Sequence, residues 1–278
     1  MFIDPNEQSY RPCRYGGVKL EFRGPKRDLK DDYVAFLGGT ETYGKFVDAP
    51  FPQLLEEQTD IPCINLGLPN AGVDVLLNEA GIAEMASGAR LTILQVPCAI
   101  GMNNKFYKVH PRRNDRFLGA RQPLKELFPE VDFTEFSFAR HMLSNLRHVS
   151  KDRFFYVRKE LAQRWVVRMR RLLGRIEGPV VLLWFSGRTP EDHFDDPEIR
   201  FQPSLVNRAM LNVLNADVAN LIEFDTANSD RADDVDTEMV DKVFSLMSKH
   251  VVRDLPGQKA HDRAAEALIP AIEAMLKT

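Results

Sequence analysis

The sequence predicts an α/β protein with three layers, α/β/α, around a mainly parallel sheet of five strands. Short apolar runs alternate with amphipathic stretches along the chain, which is the pattern of alternating strands and helices. The run Arg90–Val96 is almost continuously apolar, as is typical of a strand buried on both faces of a parallel sheet. With 278 residues, 44% of them hydrophobic, the chain can build a sizeable core.

The strands are predicted from apolar runs, and the helices from apolar residues at helical spacing. The predicted strands are Tyr33–Leu37, Pro62–Leu66, Arg90–Val96, Val180–Phe185 and Ala219–Phe224. The predicted helices are Phe51–Gln58, Asp74–Ser87, Phe136–Leu146, Lys151–Ile176, Ser204–Leu214, Glu238–Met247 and Arg263–Leu276. We expect a single domain over residues 1–278, with a helical and basic insertion at about 103–178.

Composition narrows the classes of function. The net charge is −3, so the whole molecule has no bulk attraction to nucleic acid or to an anionic membrane. The three cysteines (Cys13, Cys63, Cys98) are too scattered for a disulfide framework or a zinc site, and we expect no metal and no cofactor. No apolar run approaches the roughly 20 residues that span a bilayer, and no secretory signal is evident, so we expect a cytoplasmic protein. Whether it forms a homo-oligomer is left open.

A glycine-rich turn follows the first predicted strand, at the edge of the sheet where α/β folds bind ligands. Gly39 together with Gly44-Lys45 fits the P-loop spacing Gly-x4-Gly-Lys. A P-loop also needs a Ser or Thr for magnesium at the next position, but Phe46 is there. Pro50 and Pro52 interrupt the helix that should follow. A P-loop phosphotransferase is therefore the third choice among the functions.

The same turn resembles the nucleophile turn of the SGNH (GDSL-type) hydrolase superfamily, Gly-Asp-Ser-x-Thr-x-Gly. Gly38, Thr42 and Gly44 match in register, while Gly39 replaces the Asp and Thr40 replaces the nucleophilic Ser. Two later blocks of that superfamily are echoed after the next two strands, by Asn65–Gly72 and by Gly101–Asn104. The resemblance implies an SGNH-like fold and a site made of the nucleophile Thr40, the oxyanion donors Gly67 and Asn103, and the substrate-binding residues Gly39 and Asn70.

The fourth block of that superfamily, Asp-x-x-His before the last helix, matches poorly. Asp254 is present, but Gly257 occupies the expected His position and His261 follows at the start of the helix. The resemblance implies His261 as the base and Asp254 as its orienting partner, with His250 as another candidate for the base. A hydroxyl without a base is a poor nucleophile at neutral pH. An active enzyme and a non-catalytic binding protein both remain open.

A basic segment follows the third block. Six of the 17 residues of Lys105–Arg121 are Lys or Arg, against one Asp. Arginine forks suit phosphate, sulfate or carboxylate groups, so the segment is interpreted as a lid that holds an anionic group. The alternative is a solvated loop in which Asp115 pairs with Arg113 or Arg116. The residues assigned to anion binding are His110, Arg112, Arg113 and Arg116.

The basic segment, together with the later run Leu182–Arg188, also resembles an uncharacterised family of alphaproteobacterial proteins that carry a domain of unknown function. That resemblance brings no activity with it. From the SGNH-like blocks we expect an esterase or acyl-transfer enzyme that acts on an ester-bearing, anionic small molecule or glycan. The alternative is a non-catalytic binding or partner protein on a degenerate hydrolase scaffold.

Overall fold

The computed structural model describes residues 12–45, 47–191, 199, 202–226 and 255–276. Its strands are β1 Val34–Gly38, β2 Cys63–Gly67, β3 Leu91–Gln95, β4 Tyr107–Val109, β5 Phe117–Ala120, β6 Val180–Ser186 and β7 Asn220–Asp225. Its helices are α1 Thr40–Tyr43, α2 Phe51–Thr59, α3 Val73–Asn78, α4 Ala80–Ser87, α5 Gln122–Leu127, α6 Ala139–Val149, α7 Lys151–Leu173, α8 Arg208–Asn212 and α9 Gln258–Leu276, with a short 3-10 turn at Phe133–Glu135.

One five-stranded sheet organises the molecule, in the order β2-β1-β3-β6-β7. Every neighbouring pair in it is parallel, and the register sets Val34 of β1 beside Cys63 of β2 and Leu91 of β3. The predicted fold class, α/β with a parallel five-stranded sheet, is thereby confirmed. Each of the five strands lies within two residues of its predicted bounds. Strands β1, β2, β3 and β6 are buried along their whole length, whereas the edge strand β7 is mostly exposed or half-buried.

The two faces of the sheet carry separate cores. On one face, α2 and α9 bring Phe51, Leu55 and Leu268 against strand residues such as Phe36 and Ile93. On the other face, α3, α4, α6 and α7 form a larger core together with the segment that precedes β1. The alternating sides of successive strand residues produce this division, since neighbours along a strand point to opposite faces.

The helices differ from their predicted bounds in ways that matter for the site. The predicted helix Asp74–Ser87 is two helices, because the backbone at Glu79 leaves the helical region (φ −91°, ψ 97°). Helix α9 begins at Gln258 instead of Arg263, which places His261 inside it. The predicted helix Ser204–Leu214 is shorter, and the predicted helix Glu238–Met247 lies outside the described residues.

The region between β3 and β6 contains an element that the sequence did not predict. Strands β4 and β5 form an antiparallel hairpin, and the basic residues 110–116 make the loop between them. Helices α5, α6 and α7 follow the hairpin. Among the residues that the structure describes, no helix is long and apolar enough to cross a membrane.

Candidate functional site

The turn after β1 places Thr40 at the carboxyl edge of the sheet. Thr40 is the first residue of α1, directly after Gly39, and its side chain is half-buried. The helix ends after one turn at Gly44, whose φ of +70° is a left-handed conformation that favours glycine. The Gly44 amide donates to the carbonyls of Thr40 and Glu41 at 3.1 and 3.0 Å. The backbone that presents Thr40 is therefore a closed turn, too short to serve as the long helix of a P-loop.

Gln95, the last residue of β3, binds this turn through hydrogen bonds of its side chain. Its Oε1 accepts hydrogen bonds from the Gly39 amide at 3.2 Å and from the Thr42 amide and hydroxyl at 3.1 and 2.5 Å. Its Nε2 donates to Oε2 of Glu41 at 3.0 Å. All four residues are buried or half-buried. We call Gly39, Glu41, Thr42 and Gln95 the Gln95 cluster; it fixes the position of Thr40.

Strand β2 supports the turn from its other side. The Asn65 side chain donates to the Thr42 carbonyl at 2.8 Å and accepts from the Gly67 amide at 2.9 Å. A Cβ at Gly67 would lie 2.4 Å from the Tyr43 backbone nitrogen, so glycine lets α1 pack directly on the strand. The Gly67 amide, which was predicted to bind an oxyanion, is engaged in this internal hydrogen bond.

The amide next to the Thr40 hydroxyl belongs to Asn70. The Asn70 N–H donates to Thr40 Oγ1 at 3.0 Å. Asn70 is exposed and has a φ of +60°, a conformation that asparagine tolerates better than most residues. Since the hydroxyl oxygen accepts this bond, the hydroxyl proton is left to donate to a ligand. The structure thus brings together two of the predicted site residues, Thr40 and Asn70.

Arg23 holds the segment that follows α1. Its buried guanidinium donates to the backbone carbonyls of Tyr43 (3.4 Å), Gly44 (2.5 Å), Val47 (3.0 Å) and Asp48 (2.6 Å). Lys45 lies within this segment, and its backbone amide donates to the Thr40 carbonyl at 3.3 Å.

Asn114 fastens the basic loop to the site. Its amide donates to the Asn70 carbonyl at 3.0 Å, and its Oδ1 accepts from the amides of Gly72 at 2.9 Å and Val75 at 3.3 Å. Its Nδ2 donates to the His110 carbonyl at 2.9 Å. Asn114 is 1% exposed, and these bonds use its backbone amide and both of its side-chain polar atoms. The loop of residues 110–116 is therefore fixed against the segment that contacts Thr40.

The predicted anion-binding residues occupy different positions in this loop. Arg112 and Arg113 are exposed, and their backbone amides donate to Nδ1 of His110 at 3.2 and 3.1 Å. The Arg116 guanidinium lies 4.4 Å from the centre of the Phe138 ring, a cation–π contact. No salt bridge between described residues joins Asp115 to either arginine. Burial raises the pKa of Asp115, while the charges of Arg116 and Arg113 lower it, so the alternative of a paired loop stands beside the anion-binding interpretation.

Burial and neighbouring charges shift the pKa values of Lys45 and Cys98. Burial, and then the charge of Arg113, lower the pKa of Lys45. Burial raises the pKa of the Cys98 thiol, while Arg140 lowers it and Glu41 raises it. Glu41 is the acidic group of the Gln95 cluster, and its Oε2 lies 3.2 Å from where a Cβ on Gly39 would be.

His261 lies in the core between α2 and α9. It is 1% exposed, stacks on Phe51 at 5.7 Å and meets Phe185 edge-on at 5.4 Å. Its Nδ1 accepts from the Phe51 amide at 3.2 Å. Burial, with a smaller contribution from Arg23, lowers its pKa to about 3. We call Phe51, Phe185 and His261 the His261 pocket. No hydrogen bond of the described residues joins His261 to Thr40, so the structure does not bring the predicted base to the predicted nucleophile.

Among the remaining predicted catalytic residues, Asn103 belongs to a separate hydrogen-bond network, and the alternative base His250 lies outside the described residues. Both the backbone amide and the side-chain amide of Asn103 donate to Oδ2 of Asp74, at 2.8 and 3.3 Å. Arg168 forms a salt bridge with buried Asp74 and donates to the Asn103 carbonyl at 2.9 Å. This network ties α3 to α7. Asp254 lies outside the described residues, and within those residues no group of His, Cys, Asp and Glu could hold a metal ion.

A family model described as "Domain of unknown function (DUF6473)" matches residues 2–276. The chain belongs to the DUF6473 family. This confirms the resemblance to a family that carries a domain of unknown function, and the description assigns no activity. An alphaproteobacterial source stays a prediction.

No curated protein matches the DUF6473 chain. Among solved structures, it is similar to the lipase Lip_vut3 from a goat rumen metagenome, with 12% identity, 87% of this chain and 97% of that chain covered, and a TM-score of 0.42. For LAE5, an alpha/beta hydrolase enzyme from the metagenome of Lake Arreo, Spain, the identity is 11%, the coverage 88% and 96%, and the TM-score 0.45. For a catalytic mutant of Axe2, an acetylxylan esterase from Geobacillus stearothermophilus, these values are 11%, 86% and 93%, and 0.42.

Sequence reasoning missed two residues that shape the DUF6473 site. Gln95 ends an apolar strand, and its polar side chain at that position was a usable signal, since polar residues at the carboxyl ends of parallel strands face the ligand edge. Asn114 stands inside a run of charges, where nothing in the local sequence distinguishes it. Both act through contacts with residues at least 39 positions away, apart from the bond between Asn114 and His110.

Proposed function

We propose that this chain binds a small molecule or glycan through an anionic or carbonyl group beside Thr40, as a binding protein on a hydrolase-like scaffold. The observation that carries the proposal is the bond from the Asn70 amide to Thr40 Oγ1, at 3.0 Å. It orients the hydroxyl as a donor toward the open edge of the sheet, between a turn fixed by Gln95 and a basic loop fixed by Asn114.

The hydrogen bonds around the site support binding over turnover. A serine-type hydrolase needs a base within hydrogen-bond reach of its hydroxyl and preorganised donors for the oxyanion. As placed, His261 is bonded to the Phe51 amide inside the core. The Gly67 amide and the Asn103 side chain, the two predicted oxyanion donors, are bonded to Asn65 and Asp74. A hydroxyl to which no described residue is bonded as a base is suited to hold a ligand without attacking it.

A second candidate is an esterase or acyl-transfer enzyme of SGNH-like type that uses Thr40 as the nucleophile. The observation that favours it is the half-exposed Thr40 hydroxyl at the first residue after the β1 turn, next to a backbone amide. In this candidate the Asn70 amide, rather than that of Gly67, would stabilise the developing oxyanion.

One pair of measurements separates the two candidates. Wild type and Thr40→Val are incubated with p-nitrophenyl esters of increasing acyl length, and acetate binding to each is measured by NMR titration. Binding without turnover in wild type, with acetate affinity weakened in Thr40→Val by roughly fivefold as one hydrogen bond is lost, supports the binding protein. Ester turnover that disappears in Thr40→Val overturns it in favour of the enzyme.

A further inference from the structure

The side chain of His110 closes the turn at the start of the basic loop. Its Nδ1 accepts hydrogen bonds from the backbone amides of Arg112 at 3.2 Å and Arg113 at 3.1 Å. A ring nitrogen that accepts carries no hydrogen, so the neutral imidazole of His110 bears its hydrogen on Nε2. The turn therefore depends on one protonation state of one side chain.

Other bonds of the loop are made by groups that do not titrate. The His110 amide donates to the Arg116 carbonyl at 2.9 Å, and the Arg116 amide donates to the Arg113 carbonyl at 3.0 Å. The Asn114 amide ties the loop to the Asn70 carbonyl at 3.0 Å. These bonds keep the ends of the loop in place, so we expect a change at His110 to act on the amides that its ring binds.

We propose that the loop of residues 110–116 is a pH-sensitive element, closed when His110 is neutral and opened when its ring takes up a proton from solvent. A protonated imidazole has an N–H on both nitrogens and accepts at neither. Nδ1 then presents a hydrogen to the two amides that it had bound, and both hydrogen bonds break. The unliganded protein should show this change, which stands or falls independently of the proposed function.

Positive charge predominates on the loop and on the elements that contact it. The Ala139 amide at the start of α6 donates to the Asp115 carbonyl at 3.0 Å, and amides at the start of α3 donate to the side chain of the loop residue Asn114. The charged and titrating groups of β4, the loop, α3 and the first turn of α6 are the cations Lys108, Arg112, Arg113, Arg116 and Arg140, the imidazole of His141, and the carboxylates Asp74 and Asp115.

Of the two carboxylates, Asp74 is already bound by Arg168 in a salt bridge. Burial raises the pKa of Asp115, while the charges of Arg116 and Arg113 lower it. Within this group of residues, Asp115 is the carboxylate left to offset a positive charge on His110. A proton added to the ring in the closed loop thus meets more positive than negative charge, in addition to losing two hydrogen bonds.

The test is hydrogen–deuterium exchange of the full chain, measured by mass spectrometry at about pH 7.5 and about pH 5.5. The rates are corrected for the intrinsic effect of pH on amide exchange. The ordinary pKa of histidine is about 6.5, so an open loop takes up the proton between these pH values, and opening is favoured as the pH falls. We expect opening at the amides of Arg112 and Arg113 to become roughly tenfold more favourable at the lower pH.

His110→Asn is the matched variant, because its Oδ1 can accept from the same amides and does not titrate. Its loop should exchange equally slowly at both pH values, whereas His110→Ala, which has no acceptor, should exchange faster than wild type at the higher pH. His141→Asn is the control for the other imidazole near the loop, and it should respond like wild type. The peptide that contains β3 reports global opening, and its corrected exchange should rise less than that of the loop.

Several outcomes overturn the inference. A wild-type loop with the same corrected exchange at both pH values has no switch. A response that persists in His110→Asn, or that disappears in His141→Asn, assigns the titration to another group. An equal rise in the loop and in β3 means that the whole protein loses stability in acid. Exchange in His110→Ala as slow as in wild type would show that the bonds to Nδ1 do not hold the loop.

Discussion

The Gln95 cluster and the His261 pocket are both buried polar regions, and they are built in opposite ways. Gln95 makes four hydrogen bonds to the turn that carries Thr40, and the cluster borders a half-exposed hydroxyl. The His261 side chain accepts one hydrogen bond from the described residues, donated by the Phe51 amide, and aromatic rings pack against it. A hydrogen-bonded polar network next to an accessible hydroxyl is typical of a binding site. A neutral imidazole between aromatic rings instead contributes to the packing of the core.

The substitution with the largest expected effect is Gly67→Ala, which disturbs the packing of α1 on β2 beside the Gln95 cluster. In Gly67→Ala the added Cβ would lie 2.4 Å from the Tyr43 nitrogen, and neither backbone can yield without moving α1 off β2. We expect the free energy of unfolding to fall by roughly 3 kcal/mol or more, the upper range for overpacking, as measured by urea unfolding. Gly16→Ala is the control, because a Cβ there meets nothing within 4 Å. Similar stability of the two variants would contradict the close packing of α1 on β2.

The next effect concerns the His261 pocket and pH. The folded pKa of His261 is about 3, below the ordinary value of 6.5, so between these values the unfolded chain binds a proton that the folded protein excludes. The unfolding free energy contributed by this group is complete above about pH 6.5 and falls as the pH drops toward 3, by roughly 1 kcal/mol per pH unit.

The matched variant is His261→Asn, whose Oδ1 can replace Nδ1 as the acceptor for Phe51 but does not titrate. Denaturant unfolding of both proteins at intervals from pH 7 to pH 4 should show a steeper loss for wild type. Equal slopes would mean that the pKa of His261 is the same in the folded and the unfolded protein, and would contradict a buried imidazole that excludes the proton.

The smallest effect compares two threonines of one turn. Thr42 is fully buried and donates to Gln95 at 2.5 Å, whereas the half-exposed Thr40 hydroxyl accepts from an exposed amide. Thr42→Val should lower the unfolding free energy by about 1–2 kcal/mol, and Thr40→Val by less than about 0.5 kcal/mol, since water replaces its partner. Thermal unfolding measures both. Equal losses would assign Thr40 a structural role and weaken its part in binding.

Much of the fold could be predicted because burial on both faces leaves a direct mark on strands. The run Arg90–Val96 predicts β3 from its own residues, independently of the strands that pair with it. The turn that carries Thr40 could also be predicted from the sequence, because glycines at the end of the first strand indicate a turn. The hairpin β4–β5 did not follow, because its strands are only three and four residues long, too short to show a clear alternating pattern.

The partners of the site residues could not be predicted, because they are set by tertiary contacts. The resemblance implied His261 as a base near Thr40, but the earlier start of α9 places His261 inside that helix and in the core against Phe51. Likewise, the motif pointed to the Gly67 amide, while three residues later the left-handed backbone of Asn70 directs its own amide at the hydroxyl.

The Arg23 guanidinium binds four backbone carbonyls between Tyr43 and Asp48, so the residues that support the site include some that precede β1. A fragment cut to start at β1 would keep the sheet, Thr40, Lys45 and the basic loop. It would lose the Arg23 guanidinium that binds those carbonyls, and the segment bearing Lys45 would need other partners or water for them. The segment before the first strand therefore supports the structure of the site, although Arg23 is not among the residues proposed to contact the ligand.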